Sequence, residues 1–336
     1  MKLNEIILDE YSTSTSAQYK DVKSDKLNVA KLFEILTHWM KEFKGNSIYD
    51  GYSHKGSELL KKISTIPYSS EDITSLCFEM QKIRDEIGFT HTGNFLSALM
   101  NHHQERTGQE EKYVLILEEL PPLDYVCHEI INSTVHVFGN VRNFFCQEIK
   151  NCHVELFGSA EDYACRYMKK GTVSITGSAG TFCGEYMHDG TMSIEKNAGK
   201  RLGQMMHNGY ILVKGNCEES LGYNNLGGTI VILGNVGIKA GIDMRDGIIV
   251  VKGNAAEYLG HSMYGGMIIV EGDAGRNLGS GAKDGTILVD GNIESIGIPD
   301  AYQQLCDDGI RFRYEEPRIK IIEKGKRVVL KREKKE

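Results

Sequence analysis

The sequence predicts a two-domain α+β protein: an all-α N-terminal domain followed by a right-handed parallel β-helix of about nine 19-residue coils. Three observations predict it. Glycine recurs at Gly171, Gly190, Gly209, Gly228, Gly247, Gly266 and Gly285, each 19 residues after the last, and a fixed period of this kind marks a chain of stacked units. Within each unit the second and fourth positions after that glycine are aliphatic, as in Ile211 and Val213 or Ile249 and Val251, which is the alternation of a strand with one face inward. Residues before about 110 carry a different pattern, with apolar positions at helical spacing. The expected boundaries are 1–110 for the helical domain, 111–131 for a linker and N-terminal cap, 132–298 for the β-helix, and 299–336 for C-terminal cap strands and a basic tail.

Residues 1 to about 28 are polar and read as a poorly structured arm or short helices. From Val29 through Leu32, Leu36, Trp39 and Met40 the spacing is helical. Leu59, Leu60 and Ile63 suggest a short helix ending before Pro67. Ser69-Ser70-Glu71-Asp72 is a capped helix start. Ile73, Leu76, Cys77, Met80, Ile83 and Ile87 follow on one face, up to Gly88. Thr92-Gly93-Asn94 opens a further helix. Tyr113 to Leu117 reads as a strand.

Each 19-residue unit then repeats one logic. A turn pair such as Asn208-Gly209 or Asp246-Gly247 tolerates left-handed backbone. A short strand follows, then a corner centred on a small residue, for example Ala179, Ala198 or Ala255. A strand–helix–strand crossover needs about 30 residues. The unit therefore suits one coil of a parallel β-helix with three short strands, and right-handed crossover is the rule for parallel strands. At about 4.8 Å per strand, nine coils make a prism roughly 40 Å long. Strand-like alternation at Arg311 to Tyr314, Ile319 to Ile322 and Arg327 to Leu330 predicts a C-terminal cap, because open solenoid ends need covering.

The spacing Gly-x-x-Gly-x-x-x-Gly appears in full at Gly177, Gly180, Gly184, at Gly234, Gly237, Gly241, and at Gly272, Gly275, Gly279. It resembles the glycine-repeat β-helix at the C-terminus of the glutamate synthase large subunit, and equally the glycine-repeat subunit of formylmethanofuran dehydrogenase. The resemblance implies a scaffold held against catalytic domains or subunits, with no active-site residues of its own. Lys196, Glu218 and Ala256 replace motif glycines. The 110 residues ahead of the repeat are too few for an amidotransferase or a flavin-binding barrel, so the enzymatic context does not carry over.

Composition narrows the function. A net charge of -7 argues against a nucleic-acid or anionic-membrane binder. No apolar run approaches membrane-span length. An acidic N-terminal decapeptide without an apolar core points to a cytoplasmic location, with the 8 cysteines reduced. Cys127, Cys146 and Cys165 are 19 apart and would stack as a ladder. Thiolates in line suit a soft metal, but the column continues as Gly184 and Gly203, and a small buried residue is the simpler reading. His188 and His207 share a column with Lys169, Arg245 and Lys283, which reads as a solvated corner. His102-His103 closes a helix, where positive charge is favourable. Met168, Met187, Met206, Met244 and Met263 form a column that reads as core. The glycine corners lack the Gly-Lys-Ser/Thr ending and the following helix of a phosphate loop. No catalytic residue and no cofactor are assigned.

The third position after each turn glycine is more informative. It should face outward, yet it reads Leu212, Val231, Val250, Ile269 and Leu288. The stripe is some 20 Å long by strand spacing, and monomers rarely leave such a patch bare. Its upstream members, Ser174 and Ser193, are polar. The expected cover is the helical domain, a protein partner or a second copy. The expected function is a non-catalytic scaffold or interaction subunit. Two alternatives are an enzyme with its site between the helical domain and the β-helix, and a metal-binding protein using the cysteine ladder.

Overall fold

A computed structural model describes residues 23–42, 61–83, 92–297, 320–324 and 326–327. The expected strands at 311–314 and 328–330, Leu59 and Leu60, and Ile87 with the helix stop at Gly88 lie outside them. Among the described residues the helices α1 (Lys26–Glu42), α2 (Ser70–Met80) and α3 (Thr92–Thr107) come first, and residues 61–63, in the expected short helix before Pro67, are also helical. A parallel sheet follows, in which strands are hydrogen-bonded in simple chain order. Its strands are β1 (Glu111–Ile116), β2 (Ser133–Phe138), β3 (Lys150–Phe157), β4 (Lys170–Ile175), β5 (Thr191–Ile194), β6 (Tyr210–Val213), β7 (Leu226–Ile232), β8 (Asp246–Val251), β9 (Met267–Val270) and β10 (Thr286–Val289). β11 (Lys320–Glu323) adds a parallel rung, and β12 (Lys326–Arg327) closes it antiparallel. From β2 to β10 each rung is one coil of a β-solenoid with the 19-residue spacing.

The coil departs from three strands. It has one regular strand, a single-residue bridge at the small-residue corner, as in Ala179↔Ala198 and Ala255↔Ala274, and a third side that is not β. On that third side every other residue is left-handed. Phe182, Gly184 and Tyr186 have φ of 59°, 68° and 53°. These residues donate alternately to the two neighbouring coils: Phe182 N–H to Lys200 O at 2.9 Å, Gly184 N–H to Ala164 O at 2.7 Å, Tyr186 N–H to Gln204 O at 2.9 Å. The backbone is thus satisfied between coils without strand geometry, at a conformational cost of roughly 1–3 kcal/mol for each non-glycine residue so held.

The interior is filled by columns. The two inward strand positions, the bridge residue, the residue before the corner glycine and the methionine column are all buried, for example Ile230, Ile232, Val236, Ala240 and Met244. The methionines explain the turn glycines. A Cβ on Gly190, Gly209, Gly228, Gly266 or Gly285 would lie 2.6–3.0 Å from the Cε of Met168, Met187, Met206, Met244 or Met263 respectively. Core filler and glycine turn are therefore one device, repeated.

A second ladder has no counterpart among the sequence-based expectations. From Asn140 to Asn292 the residue after the strand-end glycine (Lys196 in one coil) is Asn, Ser or Asp. Its side-chain oxygen accepts the backbone N–H of its counterpart one coil on: Asn216 Oδ1 from Asn235 at 2.8 Å, Asn235 Oδ1 from Asn254 at 2.7 Å, Asn254 Oδ1 from Asp273 at 2.8 Å. Asn235→Ala should cost about 0.5–1.5 kcal/mol, read as a lowered urea midpoint with an unchanged slope.

The helices close the N-terminal end. α2 packs on β1, where Thr74 Oγ1 donates to Val114 O at 2.8 Å. The α2 cap is a capping box on Ser69 and Asp72. Asp72 also accepts from Asp25 N–H at 2.7 Å and from Asn28 Nδ2 at 3.3 Å, which ties α1 to α2. α3 crosses the first coil so closely that a Cβ on Gly93 would sit 2.0 Å from Asp124 O. α2 closes at Met80, with Ile83 beyond it in a turn. Among the described residues no helix is long and apolar enough to cross a membrane.

Candidate interaction face

Strand alternation sends three positions outward in each coil, and parallel stacking brings like positions together. The register pairs Leu212 with Val231, Val231 with Val250, Val250 with Ile269, and Ile269 with Leu288. The five expected stripe residues therefore form one line, each half-buried by its neighbours above and below. β11 adds a sixth, Ile322 beside Leu288. Ile322 does not follow Leu288 at the 19-residue step, so period alone could not place it here.

The flanking columns widen the patch. Three of the few large hydrophobic side chains that are strongly exposed lie here: Tyr210 at 38 %, Ile248 at 40 % and Leu233 at 44 %. Beyond the stripe run ion pairs along the sheet, Lys214 with Glu195 and Lys252 with Glu271. An apolar strip bordered by solvated charge is the layout of an interface core and rim. Upstream the same column turns polar through Ser193, Ser174, Glu155 and His136.

The other candidate residues fall elsewhere. Cys127, Cys146 and Cys165 are fully buried and left-handed, with φ of 60°, 56° and 58°. They occupy the corner that Gly184 and its successors fill downstream. Burial pushes the Cys146 thiol well above its usual range, with the adjoining Cys127 and Cys165 adding to the effect. Among the described residues no three His, Cys, Asp or Glu side chains are arranged to hold a metal ion. His188 and His207 are exposed and stacked with ring centroids 4.9 Å apart. The methionine column is fully buried.

The motif glycines are structural for three separate reasons. A Cβ on Gly177, Gly234 or Gly272 would strike the ladder side chain and carbonyl of the coil before; one on Gly180, Gly237 or Gly275 would strike that coil's backbone. Gly184, Gly241 and Gly279 hold the left-handed corner, with φ of 68°, 69° and 67°.

His102 and His103 fasten α3 rather than opening a cleft. His102 Nδ1 lies 2.8 Å from Tyr68 Oη, which donates to Leu99 O. His103 Nδ1 lies 3.1 Å from Tyr113 Oη, which donates to Met100 O. Arg106 donates to Ile66 O and Tyr68 O. On the third side, Tyr125, Phe144, Tyr163 and Phe182 stack at 4.6–5.0 Å, and Tyr167 stacks on Tyr186. Arg166 sits over both Tyr163 and Tyr167 and places Nε 2.7 Å from the buried Glu185. Gln204 Nε2 donates to Glu185 at 2.9 Å. The Arg166–Glu185 ion pair and the Gln204–Glu185 bond link the third side of adjacent coils.

Burial holds His102, His103, His128 and His136 below the ordinary histidine value of 6.5. The folded state thus refuses protons that the unfolded chain accepts. Their stabilisation is present above about pH 6.5 and is lost as pH falls below it. Glu185, whose carboxyl burial raises, acts in the opposite sense. All four histidines lie in α3 or the first coils. Hydrogen exchange at pH 5 should therefore accelerate in α3 and β1 before β6–β10; uniform behaviour would contradict this.

The comparison with curated proteins gave no match. Residues 142–297 match the family model described as GXGXG motif, just under half of the 336-residue chain. The match covers the coils that carry the glycine columns and the stripe, and leaves the helices outside. The repeat from 142 to 297 is thus a GXGXG-motif segment, folded as a parallel β-solenoid.

Proposed function

We propose that the chain is a non-catalytic scaffold, a protein-interaction subunit that docks through the outward face of β6–β10. The observation that carries this reading is the unbroken line from Leu212 to Leu288, half-exposed and flanked by Tyr210, Ile248 and Leu233. Leaving such a patch in water is unfavourable at about 25 cal/mol per Å² of apolar surface. The glycine repeat resembles the β-helix of glutamate synthase and the glycine-repeat subunit of formylmethanofuran dehydrogenase. That likeness supports a larger assembly related through the β-helix only. The enzyme alternative needs free helical histidines, whereas His102 and His103 are committed to phenols. A cytoplasmic setting is part of the proposal, in keeping with the absence of disulfides among the described cysteines.

Replacing Val231 and Val250 together by Asp puts two charges on the stripe. The expected result is release of the covering protein, seen as a smaller mass in native mass spectrometry, with the solenoid still folded by circular dichroism. An unchanged mass would remove the face from the account.

A further inference from the structure

We propose that the occupant of this face is a second copy of the chain, packed sheet to sheet with the two-fold axis running along β8. The proposal rests on the interaction reading above and adds the partner and its orientation. Two stacked sheets bury their facing side chains about 10 Å apart with strands roughly aligned. A two-fold axis parallel to the strands keeps each outward column facing itself while reversing the order of coils. β8 then faces β8, β7 faces β9, β6 faces β10 and β5 faces β11. The stripe mates apolar to apolar from Leu212 to Leu288: Val250 with Val250, Val231 with Ile269, Leu212 with Leu288; Ile322 meets Ser193.

Charge selects this orientation. The outward column at the strand ends reads Glu195, Lys214, Leu233, Lys252, Glu271 and Asp290. Reversal about β8 sets Lys214, which pairs with Glu195 in its own chain, against Asp290 of the other copy, a contact that occurs twice by symmetry. Lys252 meets Lys252 and Leu233 meets Glu271, but Lys252 and Glu271 neutralise each other within each chain. The other in-plane axis, along the solenoid, faces this column with the opposite one: Lys214 meets Tyr210, Lys252 meets Ile248 and Asp290 meets Thr286, and no opposite charges pair. The patch from Leu212 to Ile322 measures about 24 Å by 13 Å from strand dimensions. That is well below the roughly 800 Å² per partner of a standard interface, so the dimer is weak and concentration-dependent.

Sedimentation velocity of the full chain over a concentration series tests this, with charge variants at exposed positions that leave the core untouched. Lys214→Glu alone and Asp290→Lys alone should each raise the dimer dissociation constant about five- to thirty-fold, each removing two rim pairs. The double variant should restore association toward the starting value. A dimer indifferent to both single changes, or weakened by each without rescue in the double, overturns the proposal. A monomer at every concentration also overturns it. In that last case, native material whose stripe is still shielded by another protein leaves the interaction reading standing, and exposed native material removes both.

Discussion

Gly247→Val should unfold the solenoid from its middle, with a loss of more than about 4 kcal/mol, the range reserved for severe core or backbone disruption. Two costs combine at this position. The residue holds φ +92°, which a β-branched side chain adopts only with strain. A Cβ there would also lie 2.7 Å from Gly228 O and 2.8 Å from Gly227 C, both backbone atoms of the coil before. Neither can yield without breaking Thr229 N–H to Gly209 O and the bonds that follow it along the sheet. Gly108→Ala is the matched control. It too has a positive φ, +67°, but nothing lies within 4 Å of its Cβ, so it should cost only about 1–2 kcal/mol. Urea denaturation of both variants separates conformational strain from collision between coils.

Met244→Ala should cost about 2–5 kcal/mol. Met244 is fully buried, and its Cε fills the space beneath the turn at Gly266. Truncation empties that space, and the coils on either side cannot close it because their separation is fixed by the backbone ladder. Met244→Leu keeps most of the volume and should cost under about 1.5 kcal/mol. Thermal melts of the pair decide whether the column is a packing element. Equal melting temperatures for the Ala and Leu variants would contradict that.

The solenoid was legible because its columns repeat. Seven turn glycines, the alternation of Ile211 with Val213, and the small bridge residues all keep one step, and stacking forces like positions into contact. The stripe was legible for the same reason, up to Leu288; Ile322 was not, because the chain abandons the step before β11. The asparagine ladder was equally periodic, from Asn197 to Asn292, but short polar residues after a glycine look like ordinary turn formers. The third side left no propensity signal, since its left-handed positions hold Phe182, Arg201, Lys239 and Tyr258, residues that ordinarily avoid this conformation. Coil-to-coil bonding imposes it. The methionine column breaks at the buried Asn225, whose side chain accepts the Gly227 N–H at 3.2 Å. There β7 starts early at Leu226 and its register shifts. The His102 and His103 contacts required knowing that Tyr68 and Tyr113 meet α3 from opposite directions in the chain.

The proposed function requires that protein cover the outward face of β6–β10. Hydroxyl-radical footprinting tests it directly, comparing native material in its own lysate with the purified chain at high dilution. Met267, Tyr210 and Leu288 should be strongly protected in the native sample and labelled in the diluted one, while Tyr264 on another side labels equally in both. Equal labelling of Met267 and Tyr210 in the two samples would contradict the account.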